Sequence, residues 1–298
     1  MNNIDNVEAV GRMQDYIEEH IDDPITMIDL ARASSYSPYY AERIFKEYVG
    51  KTPFEYIRML RLTEAARTLR GTSKTVLDIS LEYLFDSHEG FTRAFAKQFG
   101  VTPKRYQQSP TPIQYFIPYN ITYLYKYKGE KENMKETNTK AIFVQIMDRP
   151  NRKLILKRGI KADEYFAYCY EVGCDVWGIL ESIPNALFEP VGMWLPKAMI
   201  KKGTSQYVQG VEVASDYTGV IPDGFDVIDL PASQVMIFQG EPYNDEDFEK
   251  VVSATMEDIK KFDPLTYGYE FDKSQPRFQL SPQGYRGYIE GWPVKKVK

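Results

Sequence analysis

The sequence predicts two domains. The first is all-α, with two copies of one small helical unit joined by a long helix. The second is α+β, with a strand-helix-strand-strand pattern given twice. Three observations predict this. Ser37, Arg43, Phe45, Gly50, Thr52, Pro53 and Tyr56 recur fifty positions later as Ser87, Arg93, Phe95, Gly100, Thr102, Pro103 and Tyr106. Repetition at one offset marks a duplicated structural unit. Helix start and stop signals punctuate the first hundred or so residues. From about Thr139 they give way to short β-rich runs mixed with two long helices. The expected boundaries are 1–110 for the first domain, 111–138 for a linker and 139–298 for the second domain.

Val10, Met13, Ile17 and Ile21 form the apolar stripe of a first helix, which Pro24 ends. Thr26 and Asp29 form a capping box that opens a short helix through Leu30 and Ala31. Ser34-Ser35-Tyr36 is a tight turn. Ser37-Pro38 restarts the helix with a capping hydroxyl and a proline at the first helical position. Gly50 is its left-handed stop. Thr52 to Glu55 is a second capping box, opening a long helix from Phe54 to Arg70. The second copy follows the same plan. Thr75 and Asp78 cap a short helix, Leu84-Phe85-Asp86 turns, Ser87 caps a helix reaching Phe99, and Thr102-Pro103 starts the last helix.

Short helix, tight turn and second helix make a helix-turn-helix unit, whose second helix enters the major groove of DNA. In the first copy Ser37, Tyr39, Tyr40, Glu42, Arg43 and Lys46 lie at the start or on the outer face of that helix. In the second copy Phe91, Phe95 and Phe99 form the buried stripe, leaving Ser87, His88, Glu89, Thr92, Arg93 and Lys97 outside. Arginine donates a bidentate fork to guanine or holds phosphate. Arg43 and Arg93 occupy equivalent slots, which favours a contact over a merely solvated face. Glu42 and Glu89 limit affinity for phosphate, although glutamate accepts from cytosine.

The bulk numbers narrow the classes. A content of 43% hydrophobic and 27% charged residues is that of a globular chain. No apolar run approaches the ~18 residues of a spanning helix, so no membrane partner is expected. The N-terminus lacks the basic and apolar regions of a secretory signal. Cys169 and Cys174 are the only cysteines, which excludes a disulfide scaffold and points to the reducing cytoplasm. With only His20 and His88 beside them, no metal site and no cofactor is expected. The net charge of −5 argues mildly against nucleic acid. Its distribution argues the other way: residues 37–112 hold twelve Lys/Arg against eight Asp/Glu, while residues 1–36 hold two against eight.

Over residues 6–108 the spacing resembles the AraC/XylS family of transcription regulators. The carrying residues are Leu30-Ala31, Tyr36-Ser37, Arg43-x-Phe45-Lys46, Gly50-x-Thr52-Pro53-x-x-Tyr56 and Arg61-Leu62-x-x-Ala65. The second half adds Ile79, Phe85, Phe91-x-Arg93-x-Phe95-x-Lys97-x-Phe99-Gly100-x-Thr102-Pro103-x-x-Tyr106. The resemblance implies two recognition helices in successive major grooves of promoter DNA, with RNA polymerase as a further partner. The chain departs from the family pattern where Ser35 and Leu84 replace glycine in the turns and Ser80 replaces alanine. A bulky residue resists a left-handed conformation, so a distorted second turn and a weaker second reader are expected.

Pro110-Thr111-Pro112 closes the first domain. The aromatic stretch Tyr115, Phe116, Tyr119, Tyr123, Tyr125 and Tyr127 is expected to pack on one of the domains, and Lys126 to Glu136 to act as a mobile connector. In the second domain, Leu154–Leu156, Val191–Trp194, Tyr207–Val213, Phe225–Leu230, Gln234–Gln239, Arg277–Leu280 and Tyr285–Trp292 read as strands. Glu164–Ile183 and Asp245–Phe262 read as helices.

Gly210-Val211-Glu212-Val213, Pro222-x-Gly224-Phe225, Leu230-Pro231-Ala232 and Tyr288-Ile289-Glu290-x-x-Pro293-Val294 resemble GyrI-like small-molecule-binding domains, which also occur behind AraC-type domains in Rob-like regulators. The resemblance implies a cleft for lipophilic, often cationic, effectors. Glu290 fits its acidic position. Trp177, Trp194, Tyr207, Phe238, Tyr285 and Trp292 are candidates for its aromatic floor. Gly291 stands where the family often has a bulky residue, which suggests a larger cleft or a shifted strand.

The leading expectation is a regulator, not an enzyme, that senses a small molecule. A GyrI-like hydrolase using Glu290 and a tyrosine as acid and base is the alternative, as is a drug-sequestering protein. No nucleophile-histidine-acid set and no glycine-rich phosphate loop is legible.

Overall fold

The computed structural model describes residues 3–118, 121–122, 142–173, 175–244 and 247–297. Lys126–Glu136, Tyr119, Tyr123, Tyr125 and Cys174 lie outside them. The chain divides into two units, Met1–Thr111 with Tyr115–Asn133, and Pro112–Gln114 with Met134–Lys298.

In the first unit the helices are α1 (Asn3–Glu19), α2 (Met27–Ser34), α3 (Pro38–Val49), α4 (Pro53–Gly71), α5 (Val76–Glu82), α6 (His88–Phe99) and α7 (Pro103–Gln108). Their ends follow the local chemistry. Thr26, Thr52 and Thr75 each cap a helix in a full capping box, with Asp29, Glu55 and Asp78 reaching back. Gly50 and Gly100 end α3 and α6 in the left-handed conformation, at φ 76° and 69°. Such caps satisfy backbone groups that the helix cannot.

One core gathers Val10, Met13, Ile17, Leu30, Ile44, Phe45 and Tyr56. In the second copy, Phe85 meets Phe91 edge-on, and Phe95 lies against Phe91, Phe99 and Tyr106. Helix α4 buries Tyr56 and Ile57 near its start and Ala65, Ala66 and Leu69 near its end. Part of the expected linker packs into this unit. The Tyr115 hydroxyl lies 3.0 Å from that of Tyr106, and the Phe116 amide donates to Thr63 Oγ1 at 2.9 Å.

The second unit is one antiparallel sheet with helices. Its elements are β1 (Ile142–Arg149), β2 (Arg152–Arg158), α8 (Tyr165–Val172), α9 (Val176–Ser182), β3 (Val191–Trp194), β4 (Tyr207–Ala214), β5 (Asp226–Leu230), β6 (Ser233–Gly240), α10 (Phe248–Lys261), β7 (Tyr269–Phe271), β8 (Arg277–Leu280) and β9 (Ile289–Lys296). The strand order is β1-β6-β9-β8-β3-β4-β2-β5, with β7 pairing β9.

Two expectations need correction. The helix expected over Glu164–Ile183 is two helices, because the chain takes φ 110° at Gly173. The strand expected from Tyr285 begins at Ile289, because Gly284–Arg286 form a 3-10 turn. Strands β1 and β7 add to the strands that the sequence pattern predicts.

Register assigns the faces. Phe238, Glu290, Gln279, Gly192 and Gln209 stand opposite one another across β6, β9, β8, β3 and β4, so they share one face. Helices cover that face. Val176 and Leu180 of α9 pack on Ile155, Val211 and Val213. Val251 and Ile259 of α10 pack with Met236, Phe238 and Val294. The other face holds Leu154, Leu156, Val191, Met193, Val208 and Phe278. It also carries a buried ion cluster, in which Glu212 pairs with Arg149 and, at 2.8 Å, with Arg152. Gly291 belongs to this second face. A Cβ there would stand 2.2 Å from the Phe278 ring, so its small size seats that ring and does not enlarge a cleft beside Glu290.

Candidate nucleic-acid interface and ligand site

The two helix-turn-helix units are built alike. Ser35 ends α2 with φ 60°, and the Tyr36 amide returns to Ala31 O at 3.1 Å. Leu84 takes φ 59° at the same place in the second turn, and the Phe85 amide returns to Ser80 O at 2.9 Å. The second turn thus keeps the left-handed step, but it runs one residue longer, since Ser87 follows Leu84 by three positions and Ser37 follows Ser35 by two. Leu84 reaches the left-handed well because Phe85, packed against Phe91, and these backbone bonds hold the chain there. Ser80 is fully buried, with its hydroxyl donating to Leu77 O at 2.7 Å.

On α3, Ala41, Ile44 and Phe45 face the core, and Tyr39, Glu42, Arg43 and Lys46 are exposed. The burial period of the helix sorts these residues, as the sequence pattern required. Tyr39 is the most prominent, at 80% exposed. Tyr40 turns aside: it is half-buried, packs edge-on to Tyr36, and its hydroxyl lies 3.3 Å from Asn6 Oδ1. Its ring carries the Arg43 guanidinium at 4.7 Å, a cation–π contact that orients the arginine. On α6, Phe91 and Phe95 are buried. His88, Glu89, Arg93 and Lys97 are exposed, and Thr92 is half-buried. Ser37 and Ser87 act as N-caps, accepting from the Tyr40 and Gly90 amides.

The second unit assembles a different site around Glu290, whose side chain is 1% exposed. Trp292 flanks it on the same strand and the same face, and Tyr288 flanks it from the residue just before that strand. The Tyr288 hydroxyl donates to Oε1 at 2.6 Å and the Trp292 indole N–H donates to Oε2 at 2.6 Å. From the neighbouring strand, Arg277 Nη1 reaches Oε2 at 3.3 Å. The guanidinium lies 3.8 Å from the Trp194 ring centroid and 5.0 Å from that of Trp292.

Trp194 is fixed by its own indole N–H, which donates to Asp163 O at 2.8 Å, and it meets Tyr207 edge-on. Gly192 makes room for Tyr207, since a Cβ there would fall 2.0 Å from the phenol oxygen. Gln279 links the halves of the cluster, donating to the Tyr207 hydroxyl at 3.3 Å and lying 3.0 Å from that of Tyr288. Burial holds both phenols far above their ordinary pKa, and the Glu290 charge adds to this at Tyr288. Both remain protonated, and Tyr288 is the donor to Glu290.

Trp194, Tyr207, Glu290 and Trp292 thus come together. Phe238 stands opposite Glu290, but its ring packs edge-on to Phe262 in the core under α10. Trp177 is buried in α9 against Tyr165. Tyr285 is 78% exposed on the 3-10 turn and does not join the cluster. Arg277, Tyr288 and Gln279 complete the site and were not anticipated. The signal for Arg277 and Gln279 was their alternation in Arg277-Phe278-Gln279-Leu280, which places both on the face of Glu290.

Comparison with known proteins places the first unit. A family model described as a helix-turn-helix domain matches residues 30–109. The Right origin-binding protein of Escherichia coli strain K12 is 43% identical over 95 residues, covering 32% of this chain and 33% of that protein. The matched region thus spans about a third of that relative's length. The HTH-type transcriptional activator AarP of Providencia stuartii is 36% identical over 96 residues, which are 32% of this chain and 71% of that one. A solved AraC-type transcriptional regulator from Chromobacterium violaceum is 29% identical, covering 35% of this chain and 95% of that chain, with a TM-score of 0.32.

Proposed function

The chain belongs to the AraC family of helix-turn-helix transcription regulators, and we propose that it binds promoter DNA through α3 and α6 and senses a small molecule through its second unit. The observation that carries the DNA reading is the equivalence of Arg43 and Arg93, both exposed at one position of two like-built helices. With Tyr39, Glu42 and Lys46 on one helix and His88, Glu89, Thr92 and Lys97 on the other, they form two reading heads. Successive major grooves on one DNA face are about 34 Å apart. Ser37 and Ser87 lie at the helix N-termini, where backbone amides favour phosphate. RNA polymerase is the further partner, and the cytoplasm the compartment.

The second unit is read as a GyrI-like effector-binding domain, with domains over 1–110 and 139–298. Supporting this is a strand order that runs alike inward from both ends: an outer strand, then β6, β9, β8 on one side and β2, β4, β3 on the other. The cluster of Glu290 with Trp194, Tyr207 and Trp292 is the ligand site, and a lipophilic cation is the effector class. Trp177, Phe238 and Tyr285 take no part in the cage itself.

Selection of bound sequences from random duplex DNA tests the reading. Wild type should enrich a bipartite site, and the Arg43→Ala and Arg93→Ala variants should each relax one half. The hydrolase alternative rests on the 2.6 Å Tyr288–Glu290 pair; turnover of an activated small-molecule ester, abolished in Glu290→Gln, would establish it.

A further inference from the structure

A buried carboxylate is costly unless its charge is matched. At Glu290 the matching is unequal. Tyr288 and Trp292 are its near neighbours in the chain, just before and within its own strand, both 2.6 Å away, and are part of the wall. Arg277 is different. It approaches from another strand, its contact is longer at 3.3 Å, and its side chain is 26% exposed above a carboxylate at 1%. Its guanidinium lies over Trp194 and near Trp292. A delocalised cation between aromatic faces and over a buried carboxylate is what an aromatic cage selects in a cationic ligand. Here the chain supplies that cation itself.

We propose that Arg277 is a tethered occupant of the effector site, which a cationic aromatic ligand must displace. This rests on the reading of the Glu290 cluster as the effector site. Arginine is long, and its stem can carry the charged head out to water. Displacement therefore exchanges one Glu290–cation pair for another and leaves no carboxylate unmatched. The cage then does not discriminate by charge alone, because any cation competes with an intramolecular one at high effective concentration. It selects ligands whose aromatic body adds contacts that the arginine stem lacks. The same competition sets a threshold, so that weak cations leave the site closed.

Calorimetry on the full chain tests this with three probes: phenyltrimethylammonium, its neutral isostere tert-butylbenzene, and benzoate. The variants are Arg277→Ala, Arg277→Met, which keeps apolar bulk between the rings, and Glu290→Gln. Thermal melts check that each is folded. Removing the tethered cation should tighten phenyltrimethylammonium about tenfold or more in at least one Arg277 variant, while tert-butylbenzene changes less. Combining Glu290→Gln with the Arg277 variant should abolish that gain. If Glu290→Gln weakens the cation but neither Arg277 variant tightens it, the effector site stands and the tethered occupant is wrong. If benzoate binds best and is lost with Arg277, the arginine is itself the ligand-binding group and the proposal is overturned. If no probe binds any variant, both readings fall.

Discussion

Ser35 and Leu84 hold the same backbone conformation, φ 60° and 59°, at the same place in two turns. Serine visits the left-handed region at moderate cost, whereas a branched side chain such as leucine resists it. The second turn keeps the left-handed step all the same, because the surrounding bonds determine it, although it runs one residue longer before its second helix. The difference is stored as strain and not expressed as shape.

Leu84→Gly should release that strain. The left-handed penalty is roughly 1–2 kcal/mol, and the entropy cost of glycine is roughly 0.5–1 kcal/mol. A net stabilisation of about 0.5–1 kcal/mol is expected in urea unfolding, with DNA affinity unchanged. Destabilisation would mean that the half-exposed leucine contributes packing that outweighs its backbone cost.

Because the left-handed step is kept, Glu89 is the side chain that makes the second unit the weaker reader. It sits exposed in the first turn of α6, where its charge opposes phosphate. Glu89→Gln should tighten binding to non-specific duplex and lower its salt dependence little. A loss of affinity confined to one base pair would instead identify Glu89 as an acceptor for cytosine.

The capping boxes predict an acid response. Thr26 and Thr75 hydroxyls, with their amides, hold Asp29 and Asp78 below the ordinary carboxylate range. The Thr52 amide and then its hydroxyl do the same for Glu55. A lowered native pKa means stability that is present above the unfolded value and lost as pH falls through the native one. Glu55→Gln should therefore flatten the acid limb of the stability curve of the first unit. An unchanged limb would show that the box carries no pH dependence. Thr52→Ala should cost about 1 kcal/mol at neutral pH.

In the second unit, Glu212 is paired with both Arg149 and Arg152, and all three side chains are at least 95% buried. Glu212→Ala leaves two buried guanidinium groups without a carboxylate, and a loss of about 3–5 kcal/mol is expected in denaturant unfolding. The Arg149 guanidinium is already held below its ordinary pKa by burial, which the Glu212 charge opposes. A loss under 1 kcal/mol would mean that water reaches the cluster.

Local chemistry was legible in the sequence. Threonine with an acid three residues on, proline at the first helical position and glycine at the stop fixed the helix ends from Thr26 to Pro103, because each signal acts within one turn. The break at Gly173 was missed because apolar residues continue on either side of it. Gly291 was misread because its neighbour Phe278 is on another strand. Arg277 was missed for the same reason: its partners Trp194 and Glu290 come together only through the register of β3, β8 and β9. Charge pattern did not reveal that Tyr40 turns toward Asn6, since a helix face is sorted by what packs against it.

The most direct test of the central claim is binding to a duplex selected from random sequence, followed by fluorescence anisotropy with wild type, Arg43→Ala, Arg93→Ala and the double variant. Each single change should cost about 1–3 kcal/mol and relax preference in one half-site only, about one helical turn from the other. Affinity and preference unchanged in both single variants would contradict the account.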